Sequence, residues 1–169
     1  MPPKRKPSGA RNDKLPSEPS RNTAEALRKL NWGRLQDHIG YAIRIAQLAV
    51  FQDVNLELRR VGVTTAQYSI LCLAFDNPGI NQATLAEALW TKTPRMVPII
   101  DDLERRALLT RLPSTIDRRS HAIYLTDQGR KELRRMWQVV DRHERRMRER
   151  LRGADKQLLL RMLRDLVAD

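Results

Sequence analysis

With 169 residues and 41% hydrophobic content, the chain is long and apolar enough for one domain with a real core, which excludes disorder throughout. Its 32 Lys and Arg against 20 Asp and Glu leave a charge of +12, which draws polyanions and puts nucleic acid ahead of an anionic membrane or an acidic protein as partner. One cysteine, Cys72, excludes an internal disulfide framework or a thiolate metal cluster and fits a reducing cytoplasm. The start, Met1-Pro2-Pro3-Lys4-Arg5-Lys6, is not followed by the apolar core of a secretory signal, and no apolar run approaches the ~20 residues of a membrane span.

Residues 1–22 are rich in Pro, Ser, Lys and Arg and lack periodicity. They read as a disordered basic arm, either a tail that touches phosphates or a minor groove, or a solvated terminus. Over 23–60, Leu27, Leu30, Leu35, Ile39, Ile43, Ala46, Val50, Val54 and Leu58 recur at helical spacing. They predict one long helix that can break or bend at Gly33 or Gly40, with part of its length on a second subunit. Gly62 is its expected stop. Thr64-Thr65-Ala66-Gln67 has the form of a capping box. The helix it opens, over 65–75, carries Tyr68, Ile70, Leu71, Leu73 and Ala74, apolar nearly all round and therefore expected to be buried. Cys72 within it reads as a small hydrophobe.

Asn77-Pro78-Gly79 breaks the chain. Asn81 is then expected to cap a helix over 82–89, with Leu85, Ala86 and Leu89 inward, and Trp90-Thr91-Lys92 to make a turn. Thr93 as N-cap and Pro94 as first helical residue restart a helix to about 106. In it Val97, Ile100, Leu103 and Ile99 are expected to face the core. That leaves Lys92, Thr93, Arg95 and Met96 outward at the N-terminal end, the end a recognition helix pushes into the major groove. Pro98 removes the N–H that would bond the Pro94 carbonyl and predicts a local bend or an opened first turn. Alternation over 109–112 and 122–125 predicts a β-hairpin with Ile123 and Leu125 inward. Its loop, Thr115-Ile116-Asp117-Arg118-Arg119-Ser120, has a basic tip in which Asp117 can brace Arg118 or Arg119. A braced Arg is drawn by the negative potential of a narrow minor groove; the bland alternative is an exposed charged turn.

Thr126 is expected to cap a helix over 127–152 with a stripe of Leu133, Met136 or Trp137, Val140, Met147 and Leu151. Its arginine-rich half after Asp141 is expected to project as a stalk. After Gly153, residues 154–167 predict a last helix whose Leu158, Leu159, Met162, Leu163 and Leu166 form one face for a partner subunit. The fold class is thus mainly α with a small β-wing. A basic arm (1–22) and an N-terminal dimerisation helix (23–60) precede a winged helix-turn-helix domain (61–126), and C-terminal dimerisation helices (127–169) follow.

Three stretches resemble the MarR family of transcription regulators: Gly62-Val63-Thr64-Thr65-Ala66-Gln67-Tyr68; Leu103-Glu104-Arg105-Arg106-Ala107-Leu108-Leu109-Thr110-Arg111; and Asp117-Arg118-Arg119-Ser120 followed by Leu125-Thr126-Asp127-Gln128-Gly129. The resemblance spans about 35–166. It implies a homodimer with interlocked terminal helices on a palindromic double-stranded DNA operator, with Arg119 in the minor groove and Asp117 behind it. Two departures stand out. Ala107 replaces the family's frequent glycine before the first wing strand, and Pro94 and Pro98 replace residues of the usual Ser, Thr and Arg type in the recognition helix. The reactive N-terminal cysteine of the family's peroxide sensors is absent.

The resemblance also implies a small anionic aromatic effector. His38, Tyr41, Arg44 and Tyr68 are the candidate ligand-binding residues: an Arg can pair with a carboxylate or phosphate, and a Tyr can stack on a ring and donate a hydrogen bond. The run Asp37-His38-Ile39-Gly40-Tyr41 with Arg44 is similar to members that sense aromatic acids or their coenzyme A thioesters. The structural alternative makes His38 a surface residue, Tyr68 core, and Arg44 a contact to a subunit or phosphate. No cofactor, metal site or catalytic constellation is expected, since there is no phosphate loop or metal-ligand spacing and Asp101-Asp102 diverge on a helix. The expected function is a repressor released by such a ligand. The alternative is an architectural or protein-binding winged helix without an effector.

Overall fold

The structure, a computed structural model, describes residues 29–113 and 121–168. Within them lie helices α1 (Ile39–Arg60), α2 (Thr65–Asp76), α3 (Gln82–Ala88), α4 (Thr93–Arg105), α5 (Asp127–Arg150) and α6 (Lys156–Asp165), and strands β1 (Ile80–Asn81), β2 (Leu109–Pro113) and β3 (His121–Leu125). The three strands form an antiparallel sheet in the order β1-β3-β2. β1 was not expected from the sequence. Two residues are too few to show alternation, and the strand exists because Ile80 and Asn81 pair with Ile123 and Ala122. The β2–β3 register runs from Leu109 opposite Leu125 to Pro113 opposite His121, one residue further toward the loop than alternation indicated.

Local chemistry starts the helices. Thr64 and Gln67 form the reciprocal capping box. The Asn81 side chain accepts the Thr84 N–H at 2.9 Å. Thr126 Oγ1 accepts the Gly129 N–H at 2.9 Å and donates to the Ala107 carbonyl at 2.6 Å, so one hydroxyl both starts α5 and ties it to the turn before β2. The backbones meet closely there: a Cβ on Gly129 would lie 2.0 Å from the Leu108 carbonyl oxygen.

The chain divides into two compact units, Met1–Gln52 and Asp53–Asp169. In the second, Leu58, Ile70, Leu85, Ile100, Ile123 and Leu133 are fully buried in one core. They come from α1, α2, α3, α4, β3 and α5, so every element that positions the helix-turn-helix is anchored; burying each such side chain is worth about 1.5–3 kcal/mol. In the first unit, the expected long helix breaks at Gly33, one of the two positions expected, which takes φ +51° at the head of a 3-10 turn (Gly33–Asp37). Gly40 stays inside α1. The Trp32 and Tyr41 rings sit 5.9 Å apart, while Ile39, Ile43 and Ile45 are exposed.

The expected stalk is corrected in its first part: α5 meets the end of α1 through His143 and Arg146, while Arg142, Arg145, Arg148, Glu149 and Arg150 are exposed. His143 is 2% exposed, with Nδ1 3.2 Å from Asp53 Oδ2. Arg146 reaches Glu57 at 3.1 Å and Asp53 at 3.6 Å. A charged helix face can pack when each charge meets its opposite. The last helix starts at Lys156 behind an Asp155 cap, and Leu158, Met162 and Leu163 on it are exposed.

Candidate nucleic-acid interface

α3 ends in a Schellman turn. The Trp90 N–H donates to the Glu87 carbonyl at 3.0 Å and the Thr91 N–H to the Ala86 carbonyl at 2.9 Å. The N-cap of α4 is Lys92, without a side-chain cap bond. Thr93 is therefore already helical, one residue ahead of the expected start, and Pro94 occupies the second position, where its missing N–H is tolerated. The opened first turn expected from Pro98 is not found. The Arg95 N–H donates to the Lys92 carbonyl at 2.9 Å, and α4 runs unbroken through Pro98.

The helix presents Lys92, Thr93 and Arg95 to solvent, as expected. Met96 is the correction: it is 1% exposed, in the core, whereas Val97, expected inside, is 40% exposed. The inward stripe is Met96, Ile100 and Leu103, spaced four and three residues apart, and it carries Met96 away from any DNA.

Charge is segregated along α4. Near its C-terminus, Asp102 accepts from Gln67 Nε2 at 2.8 Å and pairs with Arg105 and, at 3.6 Å, with Arg106. Asp101 pairs with Arg111 of β2, and Glu104 pairs with the same guanidinium at 3.3 Å while accepting the Arg111 N–H at 3.0 Å. Arg111 thus pins the hairpin to α4. At the N-terminus there is no acidic residue in the first turn, and Lys92 and Arg95 have no ion pair among the described residues. Cations at the positive end of a helix are locally unfavourable and become favourable when a phosphate arrives. A groove of about 570 Å³, lined by Thr93, Asn81, Arg111 and His121 among others, separates this end of α4 from the hairpin. The tip residues Asp117, Arg118 and Arg119 lie outside the described residues; the strands that carry the tip close at Pro113 and His121.

Of the ligand candidates, His38 and Arg44 are exposed and Tyr41 is half-buried beside Trp32, all in the first unit. Tyr68 lies half-buried on α2, in the second unit. Burial, then its hydrogen bond with Cys72, pushes its phenol well above the ordinary value. Burial also pushes the Cys72 thiol up, against hydrogen bonds from Tyr68 and Trp137, so Cys72 is a packed thiol at neutral pH. Among the described residues no His, Cys, Asp and Glu group could hold a metal ion, and no helix is long and apolar enough to cross a membrane.

Sequence reasoning missed three residues. Arg111 had no local signal, because its partners come from α4. The spacing of Leu133, Met136, Val139 and His143 extended the apolar stripe of α5 and could have revealed the buried histidine. Trp90 could only be placed in the turn; its exposure needs the fold.

Helix, turn, helix and hairpin in this geometry define a winged-helix DNA-binding protein. Residues 63–121 match the MarR family model. A Thauera aromatica protein assigned to regulation of the hcr operon is 30% identical over 141 residues, covering 83% of this chain and 85% of its own. The transcriptional repressor CouR bound to a 23-mer DNA duplex is similar at 41% identity and TM-score 0.78, over 83% of this chain and 99% of that one. CouR bound to p-coumaroyl-CoA is similar at 39% identity and TM-score 0.73, again over 83% and 99%. The chain belongs to the MarR family and is a DNA-binding transcriptional regulator.

Proposed function

We propose that this regulator is a cytoplasmic homodimeric repressor that occupies a palindromic operator and is released by a small aromatic acid or its coenzyme A thioester. It acts by occupancy of DNA and not by catalysis. The observation that carries the reading is the charge segregation of α4: every acid near its C-terminus is paired, while Lys92 and Arg95 stand exposed and without ion pairs among the described residues at the other end. In this reading Lys92, Thr93 and Arg95 enter the major groove, Arg118 and Arg119 reach the minor groove, and Asp117 braces them. The exposed apolar face of α6 supports the dimer. The N-terminal helix and the C-terminal helices are the dimerisation elements on either side of the reading domain. His38, Tyr41, Arg44 and Tyr68 are the proposed effector-binding residues, and the likeness to a p-coumaroyl-CoA-bound repressor supports an aromatic thioester over a purely aliphatic one.

The test is selection of binding sites from a random DNA pool at physiological salt. An inverted repeat with half-sites about one helical turn apart is expected. Recovery of no motif despite salt-sensitive binding would establish the architectural alternative instead. On the selected operator, Arg119→Ala and Arg95→Ala are each expected to lower affinity by at least about tenfold, the cost of one good contact, with the dimer intact by sedimentation. Titration with p-coumaroyl-CoA and with p-coumarate then reads effector release directly.

A further inference from the structure

Trp90 holds two features that folding disfavours. It sits at φ 49°, in the left-handed region where the turn closing α3 favours glycine. The residue is 85% exposed. The ring contacts among the described residues join Trp32 to Tyr41 and Phe75 to Trp137, so Trp90 gains no stacking partner for its strain. The backbone around it is fully held, through Glu87 and Ala86, and that bonding needs no indole. A bulky residue kept in a strained and solvated position points to a contact outside the fold.

We infer that Trp90 is a further DNA contact: its ring covers a deoxyribose at the rim of the major groove that α4 enters, and its Nε1–H donates to a phosphate oxygen. The inference rests on the proposed placement of α4. Lys92, Thr93 and Arg95, all exposed, follow within five residues and draw the strand to this edge. An indole is a donor without an acceptor, and a phosphate oxygen is an acceptor without a donor, so the two are complementary. A contact to the backbone carries no base identity.

The test is Trp90→Gly, which removes the indole and supplies the residue this turn favours. A raised thermal midpoint is expected together with weaker DNA binding. Affinity should fall by about tenfold, as for one hydrogen bond to a charged group, and by the same factor on the selected operator and on random duplex at one salt concentration. Trp90→Phe, which keeps a ring and loses the donor, should fall between the wild type and Trp90→Gly. Unchanged affinity in Trp90→Gly overturns the inference, as does a loss that comes with a lowered midpoint or a dissociated dimer. Arg95→Ala is measured alongside. If it weakens binding and Trp90→Gly does not, only the tryptophan contact falls; if neither weakens binding, the placement of α4 falls with it.

Discussion

The turn after α1 and the turn after α3 have the same hydrogen bonds and opposite occupants. At the first, the Gly62 N–H donates to the Arg59 carbonyl at 3.0 Å, the Val63 N–H donates to the Leu58 carbonyl at 3.1 Å, and Gly62 takes φ 77°. Leu58 and Val63, which flank it, are both buried. That turn serves packing, and glycine fills it without steric cost. At the second, Trp90 takes the same backbone role with its side chain in solvent. The turn after α4 lies between them. The Ala107 N–H donates to the Glu104 carbonyl at 2.8 Å and the Leu108 N–H to the Leu103 carbonyl at 2.9 Å, with Ala107 at φ 54°. The family's frequent glycine is missing there, but the conformation that glycine favours is kept. One backbone motif thus carries glycine at the turn after α1 and a non-glycine residue at positive φ at the turns on either side of α4.

The sharpest way to break this arrangement is at the packing end. Gly129→Ala would drive a Cβ into the Leu108 carbonyl, just after the Ala107 turn, and backbone must move to admit it. A loss of about 3 kcal/mol is expected from such overpacking, measurable as a reduced urea midpoint. Next in size is a reciprocal pair. Gly62→Ala puts a Cβ at φ 77° and should cost about 1–2 kcal/mol, while Ala107→Gly relieves φ 54° and should gain up to about 1 kcal/mol, since glycine's added chain entropy offsets part of the relief. If Ala107→Gly is destabilising, strain is not what separates these turns. Neither change should alter the operator affinity of the folded fraction, whereas Trp90→Gly should.

The smallest expected effect is a pH dependence of the body that holds both turns. The Cys72 thiol and the Tyr68 phenol are both pushed up, chiefly by burial, so the folded chain keeps these protons more tightly than the unfolded one. Stability is then full below the unfolded thiol range, near about pH 8.5, and falls as pH rises through the raised folded values. Urea midpoints at pH 7.5 and 10 should show the fall, and Cys72→Ala should lessen it. Iodoacetamide should label native Cys72 slowly at pH 7.5 and faster once urea unfolds the chain.

Much of the reading domain was legible because its signals are local. The Thr64–Gln67 box, the Asn81 and Thr126 caps, the proline near the start of α4 and the alternation of β2 and β3 each act over four residues or fewer. Lys92, Thr93 and Arg95 were placed correctly on the surface by the same means. Met96 was not, because Met96 and Val97 both fit an apolar stripe through Ile100 and Leu103 within one residue of phase. Only the core they pack into separates them.

By itself the sequence determined the order of the helices and the hairpin, where α2, α3 and α5 start, and a basic winged helix-turn-helix as the reading device. It did so through capping, turn chemistry and periodicity, whose partners sit within a turn or two along the chain. The tertiary structure alone decided the rest. It made β1 a strand by pairing it to β3, and it buried His143 against Asp53, ninety residues away in sequence. It clamped Arg111 between two acids of α4 and left Trp90 bare at the edge of the recognition helix. Each of these depends on groups that folding brings together from distant positions, and the neighbours of a residue along the chain do not specify them.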